Sequence, residues 1–212
     1  MRIPNHIGVI PDGNRRYAVS KGLSKDKGYN LGITPGLLLF KQCEKLGIKE
    51  ITFYGFTTDN TKRPSYQKEA FIDACIKSVY TITKENAEIL VLGNTKSSSF
   101  PKELEKFTTP QVFGTGQTRV NFLINYGWEW DLDMIESHQT RKTIQNTIHS
   151  KNVSRIDLII RWGGRRRLSG FLPIQSVYSD FYVIDDYWPD YKPEHLEEAL
   201  KWYNEQDITL GG

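Results

Sequence analysis

Ile156-Asp157-Leu158-Ile159-Ile160-Arg161-Trp162-Gly163-Gly164-Arg165-Arg166-Arg167-Leu168-Ser169 is the stretch on which the architecture turns. Its first part is a short apolar run that ends in a polar loop. That is the pattern of a strand buried on both faces, and such strands belong to parallel sheets covered by helices. The second part opens where the strand ends, which is where α/β sheets bind ligands. Gly163 and Gly164 let the backbone come close to a ligand, Arg161, Arg165, Arg166 and Arg167 present fork-shaped donors, and Ser169 adds a hydroxyl. A phosphate-rich anion suits this loop, although alone it also reads as a solvated basic turn. What favours the anion is a second arginine-glycine cluster, Asp12-Gly13-Asn14-Arg15-Arg16, which follows another apolar run.

Outward from this stretch the chain alternates short apolar runs with longer amphipathic ones. Strands are expected at His6–Ile10, Ile51–Phe56, Glu88–Leu92, Val120–Asn125, Asp157–Arg161 and Phe181–Ile184. Helices are expected at Arg15–Lys21, Pro35–Leu46, Tyr66–Glu85, Asp131–His149 and Pro193–Asn204, with starts marked by Thr34-Pro35 and Ser65 and a stop at Gly47. Thr95–Gln117 lacks strong periodicity and reads as a short helix at Lys102–Phe107 between loops. The alternation predicts an α/β fold, a mostly parallel sheet with helices on its faces. No repeat or linker divides the 212 residues, so a single domain over 1–212 is expected, large enough for its own core.

Composition narrows the classes. Charged residues at 25% and a mean hydropathy of -0.50 describe a globular protein, and no apolar run reaches the roughly 18 residues of a spanning helix. Met1-Arg2-Ile3-Pro4-Asn5 lacks the apolar core of a signal peptide, which predicts a cytoplasmic protein. Cys43 and Cys75 sit in expected helices without metal-ligand spacing and read as buried thiols. A net charge of +3 is too small to imply nucleic-acid binding.

Three polar loops follow strands. In Pro11–Arg16 a carboxylate beside glycine and two arginines can serve a divalent cation and a diphosphate together, though Asp12-Gly13-Asn14 alone reads as a capped turn. Thr57-Thr58-Asp59-Asn60-Thr61-Lys62-Arg63-Pro64 is the second, equally well read as a capped connection; Arg161–Ser169 is the third. Strands of a parallel sheet point the same way, so the three loops should converge on one rim.

Together these stretches, with Asn125-Tyr126-Gly127 and Tyr178–Asp190, resemble the cis-prenyltransferases, the family of undecaprenyl diphosphate synthase. The resemblance runs in family order from His6 to Gly212. It implies a six-stranded, mostly parallel sheet, a homodimer, Mg²⁺, and an apolar cleft for a prenyl tail. It also implies an allylic prenyl diphosphate that loses its diphosphate to a five-carbon isoprenoid diphosphate, with peripheral membrane contact through a lipid product. By position, Asp12 matches the aspartate that holds Mg²⁺, and Gly13, Asn14 and Arg16 match the cradle of the allylic diphosphate. Asn60 and Arg63 match the pair tied to proton removal and phosphate binding. Arg161, Arg167 and Ser169 match the grip on the second diphosphate, and Asp180 stands where a glutamate reaches Mg²⁺.

The chain also departs from the family pattern. Arg15 replaces a glycine, Tyr17 a tryptophan, Lys25 an arginine, Tyr29 a histidine and Thr61 an aromatic residue. Trp162 replaces a small polar residue and is expected to add bulk to the wall of the second diphosphate pocket, where Arg165 replaces a glutamate. Glu205–Leu210 lacks the usual arginines, while Gly211 and Gly212 remain. The short span between Tyr66–Glu85 and Glu88–Leu92 implies a short product, with Phe71, Tyr80 and Phe122 as residues that would close the cleft. The altered second site opens the way to a non-head-to-tail condensation with dimethylallyl diphosphate as acceptor. The alternatives are regular extension with isopentenyl diphosphate, a non-catalytic partner subunit, and a lyase or transferase to another acceptor.

Overall fold

Strand β1 (His6–Ile10) is buried along its whole length in the computed structural model, which describes residues 2–136 and 140–207. With β2 (Glu50–Tyr54), β3 (Ala87–Leu92), β4 (Gln111–Val112), β5 (Thr118–Leu123), β6 (Leu158–Arg161) and β7 (Asp180–Val183) it forms one sheet ordered β4-β3-β5-β2-β1-β6-β7. Every neighbouring pair is parallel except β3 and β4. The six expected strands are all present, and the seventh is the two-residue edge β4, too short to show any periodicity in sequence.

Alternation along the strands sorts the core into two layers. Val9, Phe53 and Phe122 face one side, where they pack with Leu39 and Phe40 of α3 (Ile33–Lys45), Val79 and Ile82 of α4 (Ser65–Ile82), and Leu196 and Leu200 of α7 (Pro193–Asn204). Their neighbours Ile10, Tyr54 and Leu123 face the other side with Ile159, Phe171 and Leu172. Truncating one fully buried side chain such as Leu39 to alanine would cost about 2–5 kcal/mol. Cys43 and Cys75 are free and buried, and burial pushes the Cys75 thiol up to about 12.

The expected helix Asp131–His149 does not form as one piece. The chain makes a single turn, α5 (Trp128–Asp131), and a separate helix, α6 (Arg141–Thr147). Asp131, fully buried, works against a continuous helix. Its carboxylate accepts the Tyr126 hydroxyl, the Ser150 hydroxyl and the Ser150 N–H, each at 2.7 Å, so Ser150 must turn back toward it instead of ending a continuous helix. Helices α1 (Asn14–Ser20) and α2 (Lys27–Leu31) fill the crossover from β1 to α3. The expected helix at Lys102–Phe107 is a 3-10 turn, Lys102–Thr108. Gly211 and Gly212 lie outside the described residues.

From β1 the chain moves to β2 on one side, and only later returns to place β6 on the other side. The carboxyl ends of β1 and β6 therefore flank a topological switch point, the crevice where open α/β sheets bind ligands.

Candidate active site

Asp12 and Arg161 meet across that crevice. Asp12 lies two residues beyond β1 and Arg161 is the last residue of β6; Arg161 Nη2 donates to Asp12 Oδ2 at 2.8 Å. Arg16, one turn along, stands 3.3 Å from Asp12 Oδ1, which also accepts the Gly13 N–H at 2.6 Å. Burial resists ionisation of Asp12, but the hydrogen bond and charge of Arg161, with Arg16, outweigh it and hold the carboxyl below its ordinary value. Arg161 is itself oriented by its loop, since Nη1 donates to the Arg167 carbonyl and to Ser169 Oγ, the latter at 3.0 Å. Its Nε–H is buried and has no partner among the described residues.

Around this pair the three loops enclose a cavity of about 430 Å³. Its wall carries Arg15, Arg16, Arg63, Arg161, Arg165 and Arg167 against the carboxylates of Asp12 and Asp59. Asp59 is engaged by Lys62 at 2.7 Å, so the cavity presents a strongly positive interior suited to anions carrying several charges. Gly13, Asn14, Asn60, Tyr29 and Ser169 complete the wall. Glycine is required at two places. Gly13 has φ +103, and a Cβ there would lie 2.7 Å from the Tyr187 ring; Gly163 has φ +83, and a Cβ would lie 2.5 Å from an Arg16 nitrogen. Asn60 is fixed by its own turn, its Oδ1 accepting the Thr57 N–H at 3.1 Å.

An apolar cleft adjoins the cavity and shares Pro11, Asn14, Tyr29, Gly55 and Phe71 with it. Tyr29 forms the boundary: its ring stacks on Phe71 at 4.4 Å and its hydroxyl accepts from Arg63 at 2.8 Å. The cleft has a volume of only about 70 Å³ and is narrowed by the stacked Phe53 and Phe122 and by Trp188. Phe71 and Phe122 thus bound the cleft as expected, whereas Tyr80 packs on Phe107, away from it.

Four expected residues are not at the cavity. Trp162 follows Arg161 along the backbone and so points to the opposite face, fully buried against Trp188, Tyr191 and His195; it adds nothing to the pocket wall. Asp180 pairs in register with Leu158, at the amino end of the strands, and faces Arg2 at 3.7 Å, so within this chain it does not join Asp12. Lys25 is exposed outside the cavity, and Tyr17 lies beneath Lys21 on α1. The sequence reading missed Tyr54, whose hydroxyl donates to the Ser169 carbonyl at 2.7 Å and braces the Arg161–Ser169 loop. Its signal was the alternation at the end of β2, where Phe53 enters the cleft side and Tyr54 must face the other. Gln67 was also missed; it accepts from Arg15 at 3.4 Å. Among the described residues, no cluster of three or more His, Cys, Asp or Glu could enclose a metal, and no helix is long and apolar enough to cross a membrane.

Comparison with known proteins places the chain in a family. The family model described as putative undecaprenyl diphosphate synthase matches residues 10–211. An isoprenyl transferase of Streptococcus thermophilus is 32% identical, with 99% of this chain and 94% of that protein covered. The (2E,6E)-farnesyl-diphosphate-specific ditrans,polycis-undecaprenyl-diphosphate synthase of Aliivibrio fischeri is 29% identical over 99% of this chain and 89% of its own length. In structure, lavandulyl diphosphate synthase from Lavandula x intermedia, solved with dimethylallyl diphosphate, superposes with a TM-score of 0.83 at 20% identity, covering 99% and 98% of the two chains.

Proposed function

Since the chain belongs to the undecaprenyl diphosphate synthase family and is an isoprenyl transferase, we propose that it makes a short product, joining a five-carbon allylic donor to a second five-carbon diphosphate. The observation that carries this reading is the cleft. Its volume of about 70 Å³, about half the roughly 150 Å³ of an engineered cavity that holds benzene, supports a five-carbon tail at most. With the tail in the cleft, the diphosphate falls among Arg16, Arg63 and Arg161, which oppose the charge that builds on the leaving group. The C–O bond to that group breaks as the double bond of the second substrate forms the new C–C bond, and the carbocation left on the second substrate then loses a proton to an oxygen of the departing diphosphate. Asn60 and Arg63 flank this region; neither an amide nor a guanidinium can take up the proton, so their part is to orient the diphosphate oxygen that does. Tyr29, Phe71 and Phe53 keep water from the allylic cation.

Mg²⁺ belongs to the reading. The Asp12 carboxylate has about four acceptor positions and engages three donors, Gly13, Arg16 and Arg161, so one remains for a hard cation shared with diphosphate oxygens. The ion would supply further neutralisation of the leaving group. The homodimer implied by the family resemblance is part of the same proposal, and sedimentation checks it.

The second diphosphate falls to Arg161, Arg165, Arg167 and Ser169. A cation at Arg165 where the family has a carboxylate, and Tyr29 in place of a histidine, support a second substrate held differently from isopentenyl diphosphate. We therefore propose dimethylallyl diphosphate as acceptor in a non-head-to-tail condensation. A fold shared with a lavandulyl diphosphate synthase bound to dimethylallyl diphosphate supports the same reading. The test is incubation with Mg²⁺ and dimethylallyl diphosphate alone, and in parallel with isopentenyl diphosphate added, with products identified by mass spectrometry. A ten-carbon product from dimethylallyl diphosphate alone is expected. Product only when isopentenyl diphosphate is present would establish regular extension, and a main product of about fifty carbons or more would overturn the short-product reading.

A further inference from the structure

Behind the Arg161–Ser169 loop, on the face away from the cavity, lies a chain of polar contacts centred on the buried His195 and ending at the exposed Asp186, which Lys192 Nζ also approaches at 3.8 Å. Trp162 Nε1–H and the Lys192 backbone N–H both point at His195 Nδ1, at 3.2 and 3.3 Å. Indole and amide nitrogens can only donate, so Nδ1 must be the bare, accepting nitrogen and the ring proton resides on Nε2. Nε2 in turn lies 3.1 Å from Asp186 Oδ2 and donates to it. The backbone carbonyl of the same Asp186 accepts the Gly163 N–H at 2.8 Å, and the Ile184 carbonyl accepts the Gly164 N–H at 3.0 Å. His195 thus grips the loop from two sides, through the Trp162 side chain and through Asp186. Both grips converge on Gly163, which lies against Asp12 and Arg16, and on its neighbour Gly164, which lies against Asp185.

We infer that His195 is a positioning residue for the anion-binding loop: by accepting from Trp162 and donating to Asp186 it fixes the backbone of Gly163 and Gly164, and with it the placement of Arg161, Arg165 and Arg167. It touches no substrate. The inference rests on the proposed diphosphate site for its functional consequence, but not for its structural one. It also gives Trp162 a role: the indole serves as a donor that ties the loop to α7.

The test separates these levels. Hydrogen exchange followed residue by residue should show the Gly163 and Gly164 amides of His195→Ala exchanging roughly tenfold faster than in the unaltered protein, while amides of β1 and β2 stay protected. Trp162→Phe, which removes one of the two grips, should give about a threefold rise. His195→Asn, whose Oδ1 stands near the place of Nδ1, should recover most of the protection. The imidazole nitrogen signals should show the proton on Nε2. Inorganic diphosphate, titrated by calorimetry, should bind His195→Ala roughly tenfold more weakly. Unchanged exchange at Gly163 and Gly164, a rise spread evenly over β1 and β2, or a proton on Nδ1 would overturn the inference. If the unaltered protein bound no diphosphate, the proposed function would fail while the exchange result still judged His195. Should His195→Ala not fold, Trp162→Phe and His195→Asn decide by the same readings.

Discussion

Arg63 and Tyr29 are joined by a 2.8 Å hydrogen bond that ties the positive cavity to the apolar cleft. The guanidinium donates to the phenol from the cavity side, while the Tyr29 ring lies flat on Phe71 and forms the cleft wall. One side chain therefore sets both where a cavity arginine sits and how much space the apolar cleft has.

Two variants separate these roles. Tyr29→Phe keeps the wall and loses the hydrogen bond; a fall in kcat/KM of about three- to tenfold with unchanged product length is expected. Tyr29→Ala opens the cleft at a stability cost of about 3–5 kcal/mol and should admit a ten-carbon allylic donor. Steady-state kinetics and mass spectrometry of products with dimethylallyl and geranyl diphosphates would check both. Unaltered donor preference in Tyr29→Ala would mean that the cleft is bounded elsewhere.

Asp12→Ala should lose more than about a tenfold factor in turnover, a deficit above roughly 1.4 kcal/mol, while the far-ultraviolet circular dichroism stays native. Asp12→Asn, which keeps the size and a hydrogen bond to Arg161, should be equally inactive and closer to the original stability.

The same carboxyl predicts a pH signature. Its value in the fold lies below the ordinary 3.8, so its contribution to stability is fully present above that value and is lost as pH falls through the depressed one. Urea unfolding of the protein and of Asp12→Asn should therefore show a stability difference that is constant from pH 5 to 8 and shrinks only in acid below about pH 4. A difference that already fades near pH 6 would contradict the ionised Asp12–Arg161 pair.

Arg165 is exposed at the cavity mouth and pairs with no carboxylate among the described residues, so Arg165→Glu should raise KM for the acceptor diphosphate by at least about tenfold and make that KM more sensitive to salt. If product identity also shifts toward regular extension, the charge at this position governs how the acceptor lies. Kinetics unchanged by the reversal would place Arg165 in solvent without a role.

Asp131→Ala offers a test that needs no substrate. It strands the Tyr126 hydroxyl and the Ser150 N–H in a dry interior and should cost about 3–5 kcal/mol in urea unfolding. Asp131→Asn, which retains an acceptor, should lose less.

Much of this organisation was legible because apolar runs such as Ile156–Ile160 and His6–Ile10 can only be buried strands. Parallel strands in turn force the loops that follow them onto one rim. The edge β4 was not legible, since two residues carry no period. Nor was the break after Asp131, which depends on a tertiary partner, Ser150, nineteen positions away. Trp162 was misjudged although the needed information was present: a residue next to an inward arginine on a strand must face outward from the site. Asp180 shows the limit of matching motifs by position, because the register that places it opposite Leu158 is not written in the motif.

The seam between β1 and β6 has a consequence for biogenesis. The two residues that close it, Asp12 and Arg161, lie 149 positions apart, with β2, β3 and β5 all laid down on the near side before β6 arrives on the far one. A chain emerging from the amino end can build half of a parallel sheet and expose Asp12, yet the Asp12–Arg161 pair cannot form until β6 has been made. Under the proposed function, competence is tied to one of the longest-range and slowest contacts of folding, and a chain stalled before β6 would carry no activity.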